Sequence, residues 1–376
     1  MPVPARPLNR LQACRSVPHR AILGLMAPAL GAPVPDSLAQ DLQQSDPGEL
    51  VKIATYSCVH TVIASAFENA AGLKRAVPRD LLIYFAEMQK ANRQRNAAIR
   101  AQLLEIGRIL AAEGIEAVAL KGAAELLSPV YPAPGMRFLS DLDLLLRDRD
   151  IEAAGAALEA AGAAPSRSRG LTGRGHHHLP PLTCGSWAVS VELHHALGAA
   201  KVRSLLPADE VMAAAQPSGR PGLRLPDPLH RVMHLTAHAE LSKRPLEAPV
   251  LPLRDCLEFH QMQRALPSGT VPAARAGFAA AGCSKAFTRL AEAARAVTEP
   301  AATPETGAGL RCGNRMLRLF GRPAEQKLRK AAGWTGFYIC QFVTNPQLRS
   351  YYLRMLASPP ALARVFDFHR KWLQRF

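Results

Sequence analysis

The amino-acid sequence predicts an α+β fold: a small mixed-sheet core with a helical region before it and another after it. Three observations carry that prediction. Apolar residues recur at helical steps ahead of Gly114, as at Ile99, Leu103, Ile106 and Leu110. The spacing then changes to that of short strands in Ile115–Gly122, Phe138–Leu146 and Trp187–His195. From Asp227 onward the helical spacing returns.

Taken in order, residues 1–19 are expected as a flexible N-terminus, 20–104 as the N-terminal helical region, 105–200 as the core and 201–376 as the C-terminal helical region. The apolar run from Arg20 to Val34 superficially resembles a signal peptide, but Pro28 and Pro33 interrupt it. Helical spacing runs from Pro47 to Gly72 and again from Pro78 to Gly114, where glycine sits at a C-terminal cap. Within the core the order is strand, turn, strand, an alanine-rich helix ending at Gly162, then a third strand. Stretches rich in Pro, Ser, Gly and Thr at 215–228, 267–273 and 299–309 read as connectors.

Composition narrows the class. With 376 residues, 48% apolar and 20% charged, the chain can bury a real core, which excludes a disordered tail or a collagen-like repeat. The formal net charge of +16 favours phosphate-bearing partners without choosing among them. Seven scattered cysteines with no C-x-x-C pair are the usage of reduced thiols, so a cytoplasmic protein is expected. No apolar run approaches the roughly 20 residues a membrane-spanning helix needs.

The chemistry concentrates in the core. Asp141 and Asp143 stand two apart on a strand and so leave the same face, while Leu142 and Leu144 turn inward. Paired anions need a cation between them, and hard oxygen ligands suit Mg²⁺ or Mn²⁺. On the third strand Trp187, Val189, Val191 and Leu193 form the apolar face, leaving Glu192 and His194 on the polar one. Lys121 and Gly122 end the first strand at a turn where a cation and backbone N–H groups can cradle phosphate, and Arg137 precedes the acidic strand as a potential phosphate clamp.

The run VALKGAAELLSPVYPAPGMRFLSDLDLLL, an alanine-rich helix and then VELHH closely resembles the uncharacterised nucleotidyltransferase family of the DNA polymerase β-like superfamily. RN before the core, HLTAH and LRDCLEF extend the likeness over roughly residues 20–265. The resemblance implies a nucleotidyltransferase core in which Asp141, Asp143 and Glu192 are catalytic and hold Mg²⁺ or Mn²⁺. It further implies that Lys121, Gly122 and Arg137 bind a nucleoside triphosphate donor. Lys121-Gly122-Ala123 replaces the glycine-serine of the wider superfamily, so a related phosphorylated donor such as a nucleotide-sugar also fits. The acceptor would be a hydroxyl on a small molecule, sugar, peptide or protein, in peptide or polysaccharide tailoring. The alternative is a catalytically silent nucleotide-sensing or partner-binding module, antitoxin-like, on the same scaffold.

Weaker signals surround this constellation. His176, His177 and His178 alternate faces on a strand edge and cannot all bind one ion; His178, with His194, is a candidate for a supporting position beside the metal ligands. His230, His234 and His238 share one helix face as a polar seam, and Asp255 is expected to pair with Arg254 or that seam. The basic stretch Arg93–Arg100 and the C-terminal HRKWLQRF read as solvated faces, so neither nucleic acid nor membrane is an expected partner. The acceptor pocket is expected between the core and the C-terminal helices.

Overall fold

The structure, a computed structural model, describes residues 10–166, 177–242, 251–300, 315–318 and 320–322. Residues 1–9, His176, Cys312, Cys340 and the C-terminal HRKWLQRF lie outside the described residues. Within them the chain is an α+β fold built on one seven-stranded mixed sheet of order β3-β4-β5-β2-β1-β7-β6. The strands are β1 (Ala117–Leu120), β2 (Asp141–Leu145), β3 (Ala164–Pro165), β4 (Leu182–Thr183), β5 (Ser190–His194), β6 (Gln216–Arg220) and β7 (Leu223–Leu225). β1 runs antiparallel to β2, whereas β2 and β5 are parallel.

The three expected strands are present but shorter at each end. β1 stops at Leu120 because Lys121 takes φ +45° and opens the helix Lys121–Leu127. The alternation within β2 and β5 is as expected: Leu142, Leu144, Val191 and Leu193 are all fully buried. They pack on the second half of the long helix Arg79–Ala112, through Ile99, Leu103, Ile106 and Leu110, and on the helix Ile151–Ala160. The other face of the sheet, through Val118, Leu120 and Leu145, joins the larger core made by the N-terminal and C-terminal helices.

The sheet extends beyond residue 200, into a stretch expected as a connector. β6 and β7 form a hairpin, and β7 pairs in parallel with β1. Pro217 is tolerated because β6 is an edge strand. Gly222 turns the hairpin at φ +65°, and a Cβ there would fall 2.1 Å from the carbonyl oxygen of Gly107 on the long helix. The pair of glycines thus lets the hairpin seat directly on helix backbone.

The segment that resembled a signal peptide forms the helix Val17–Ala29, with Pro28 in its last turn and Ala21 to Ala29 buried. Leu11 and Cys14, in the stretch expected to be flexible, are also buried. No described helix is long and apolar enough to cross a membrane. Residues 270–273, expected as part of a connector, instead begin the helix Thr270–Ala280.

Candidate active site

The parallel register of β2 and β5 assembles the acidic cluster. Asp141 lies opposite Ser190, Asp143 opposite Glu192 and Leu145 opposite His194, so the polar side chains of both strands leave the same face. One carboxylate oxygen each from Asp143 and Glu192, and a ring nitrogen of His194, all lie within 4.8 Å of one another. An octahedral ion with bonds of about 2.1 Å spans ligands roughly 3 to 4.2 Å apart, so this donor set fits a divalent ion with small adjustments. Asp141 lies outside that trio, half-buried at the mouth of the same face.

Asp143 is the electrostatic centre. It is 1% exposed, and its Oδ1 accepts hydrogen bonds from Lys121 Nζ at 2.7 Å and His194 Nε2 at 2.9 Å. Burial alone would push this carboxyl up, but the Lys121 ammonium and the His194 bond hold it well below the usual carboxylate range. Asp141 is pushed the other way, by burial and by the charge of Asp143. Glu192 is held low by its contact with His194 Nε2 at 3.4 Å. His194 pays for its burial but is raised overall by the two carboxylates. The two acidic strands therefore carry carboxylates of differing basicity on one face.

His178 reaches the cluster by a bridge to His194 and places Nε2 3.9 Å from Glu192 Oε2. The rings of His177, His178 and His194 meet edge-on or tilted, with centroids 4.8 to 5.6 Å apart. His194 touches both carboxylates directly, Asp143 at 2.9 Å and Glu192 at 3.4 Å.

Arg137 and Gly122 are close neighbours, and the arginine is already engaged. Its guanidinium, 5% exposed, donates from Nε to Glu258 Oε2 at 2.9 Å, with Nη2 at 2.8 Å from the same oxygen. A Cβ on Gly122 would lie 2.6 Å from Arg137 Nη1 and 2.7 Å from Leu139 Cδ2. Because Glu258 pins the guanidinium, it cannot swing clear. Gly122→Ala is accordingly expected to cost about 1–3 kcal/mol, read as a lowered urea midpoint at unchanged m-value.

Behind Lys121 a cleft opens between the core and the C-terminal helices. Arg137, Arg231, His234, Arg254 and Glu258 line it together with Lys121. The guanidinia here have acidic partners: Arg231 donates to Glu125 at 2.9 Å, and Arg254 lies 3.2 Å from Asp255. Glu125 also accepts from the backbone N–H groups of Val130 and Tyr131, which fixes the turn after the helix Lys121–Leu127.

His234, in the seam expected of His230, His234 and His238, is buried on the helix Pro228–Ala237, and burial together with the Lys121 charge pushes it down to about 3. Its folded pKa lies below the ordinary 6.5, so the unfolded chain takes the proton first as pH falls. Stability contributed by neutral His234 is intact above pH 6.5 and is lost as pH falls toward 3. His194, raised instead, contributes in the opposite sense and fades as pH rises through its folded value. Between pH 7 and 5 the protein is expected to lose about 2 kcal/mol more than His234→Gln in chemical denaturation, and equal slopes would contradict this.

Sequence reasoning missed three buried amides on the long helix. Asn92 and Asn96 both donate at 2.9 Å to the carbonyl of Arg137, and Gln102 donates to the carbonyl of Val189 at 2.9 Å. They hold in place the loop before β2 and the start of β5. Arg95 likewise lies over the Phe138 ring, 5.1 Å from its centroid, and donates to the Leu139 carbonyl, so the basic stretch is not wholly a solvated face.

No curated protein and no solved structure matches the chain. A family model described as an uncharacterised nucleotidyltransferase matches residues 43–298, a span that takes in the whole sheet, the long helix and the helix Pro228–Ala237. The chain belongs to this uncharacterised nucleotidyltransferase family.

Proposed function

We propose that the protein is a metal-dependent nucleotidyltransferase that moves a nucleotidyl group from a nucleoside triphosphate, or a related phosphorylated or nucleotide-sugar donor, to an acceptor hydroxyl. The acceptor belongs to a small molecule, sugar, peptide or protein. The observation that carries this reading is the parallel pairing of Asp143 with Glu192, beside a turn that carries Lys121 and Gly122. Asp143 and Glu192, with Asp141 at the mouth, would hold Mg²⁺ or Mn²⁺. When bound, such ions stabilise charge on the attacking and leaving oxygens of an in-line displacement.

The chain's own groups do the rest. Lys121 neutralises donor phosphate, and Gly122, lacking a side chain, lets the Arg137 guanidinium close on the turn. Arg137, fixed by Glu258, presents Nη1 toward that turn. Glu192 takes the proton from the acceptor hydroxyl, and His194 and His178 hold its carboxylate in place. Three buried amides on the long helix keep the two acidic segments aligned, as transfer geometry demands.

The test is incubation with each α-labelled nucleoside triphosphate, Mg²⁺ or Mn²⁺ and cell extract. A labelled acceptor that disappears with Asp141→Ala supports the reading. Metal-dependent nucleotide binding with no transfer under any donor would replace it with the sensing module.

A further inference from the structure

Lys121 belongs to two sites at once. Its ammonium sits 2.7 Å from Asp143 Oδ1, yet its side chain also lines the cleft behind. Its backbone is held at φ +45°, a left-handed conformation unusual for a residue with a side chain. Such strain persists where surrounding structure imposes it, commonly at functional positions.

Two charge balances meet at this residue. On the acidic side, Asp143 Oδ1 already takes donors from both Lys121 and His194. A divalent ion bound to that carboxylate would stand within a few ångströms of the ammonium, and like charges so close in a buried site repel strongly. On the cleft side the arginines are matched: Arg137 with Glu258, Arg231 with Glu125 and Arg254 with Asp255. His234 there is held neutral. Among the described residues lining the cleft, Lys121 is therefore the cation whose partner belongs to the metal-ligating group rather than to the cleft.

We propose that Lys121 is an exchangeable counter-ion: a divalent cation arriving at Asp143 and Glu192 displaces its ammonium into the cleft, which then gains the net positive charge that binds donor phosphate. This rests on the metal-dependent reading above. The cation and the anion then reinforce each other's binding, by the same factor in either order. A phosphate-bearing ligand is thereby held weakly until metal is present.

Two measurements without turnover test this. In protein labelled with ¹⁵N-lysine, the Lys121 side-chain resonance, identified by its loss in Lys121→Arg, is expected to be protected from exchange and to lose that protection as Mg²⁺ saturates. By electron paramagnetic resonance titration, Lys121→Met is expected to bind Mn²⁺ on the order of tenfold more tightly than the native chain, within the usual range of coupling. Sulfate, a weak chelator, is expected to bind more tightly with Mg²⁺ present, and that gain is expected to vanish in Lys121→Met. A Lys121 resonance unchanged at saturating Mg²⁺, an unchanged or weaker Mn²⁺ affinity in Lys121→Met, or no gain in sulfate affinity would overturn the proposal. Those results leave the functional reading intact, whereas failure of the native protein to bind any divalent ion removes both.

Discussion

Asp143→Asn is expected to abolish nucleotidyl transfer, by ~10³-fold or more, while the protein remains folded. Losing a metal ligand removes several kcal/mol of transition-state stabilisation, and each 1.36 kcal/mol is about a factor of ten. The amide still accepts a hydrogen bond from Lys121 or His194, so the packing around β2 survives. It no longer neutralises the ammonium, and a stability loss of about 1–3 kcal/mol is expected from the unsatisfied charge. There is a pH signature as well. The carboxyl of Asp143 is held below its ordinary 3.8, so its contribution is present above that value and is lost as pH falls beneath it. Asp143→Asn removes this part of the acid sensitivity. Circular dichroism and urea titration separate folding from transfer. A variant that keeps more than a tenth of native transfer would contradict the assignment.

Glu258→Ala is expected to give the largest stability loss. It leaves the Arg137 guanidinium, 5% exposed, as an uncompensated buried charge among Tyr131, Arg254 and Gly122. Breaking one side of such a pair typically costs about 3–5 kcal/mol. Replacing both members by methionine should cost much less, because the desolvation of two ions is removed together with their attraction. Urea midpoints for Glu258→Met, Arg137→Met and the double variant form the cycle that checks this. A single-variant loss below 1 kcal/mol would show that the pair is not the clamp described here.

The core strands were legible because alternation survives in any context. Leu142, Leu144, Val191 and Leu193 could only face inward, and that placed Asp141, Asp143, Glu192 and His194 on one face. The hairpin of β6 and β7 was not legible. Pro217, Gly219 and Gly222 carry the local signature of a connector, and only the long-range seating of Gly222 against Gly107 makes them a strand pair. Partners far apart in the chain were equally hidden: nothing near Arg137 announces Glu258, 121 residues later. The resemblance named Arg137 as a phosphate contact; the structure has its guanidinium buried and paired with Glu258.

One missed feature did leave a trace. Asn92 and Asn96 continue the same helical stripe as the buried Phe85, Ile99 and Leu103. Polar side chains on an apolar face must find partners when buried, so their spacing alone marks them as holding something across the helix. What they hold, the carbonyl of Arg137, lies in a segment with no regular structure, and periodicity says nothing about such a loop.

The most direct test of the proposed metal centre is anomalous diffraction from crystals grown with Mn²⁺ and a non-hydrolysable nucleoside triphosphate. The account predicts a manganese peak bonded to carboxylate oxygens of Asp143 and Glu192, with the phosphates of the nucleotide over Gly122. A nucleotide bound elsewhere, or manganese bound away from these strands while Asp143 keeps Lys121 and His194, would contradict it.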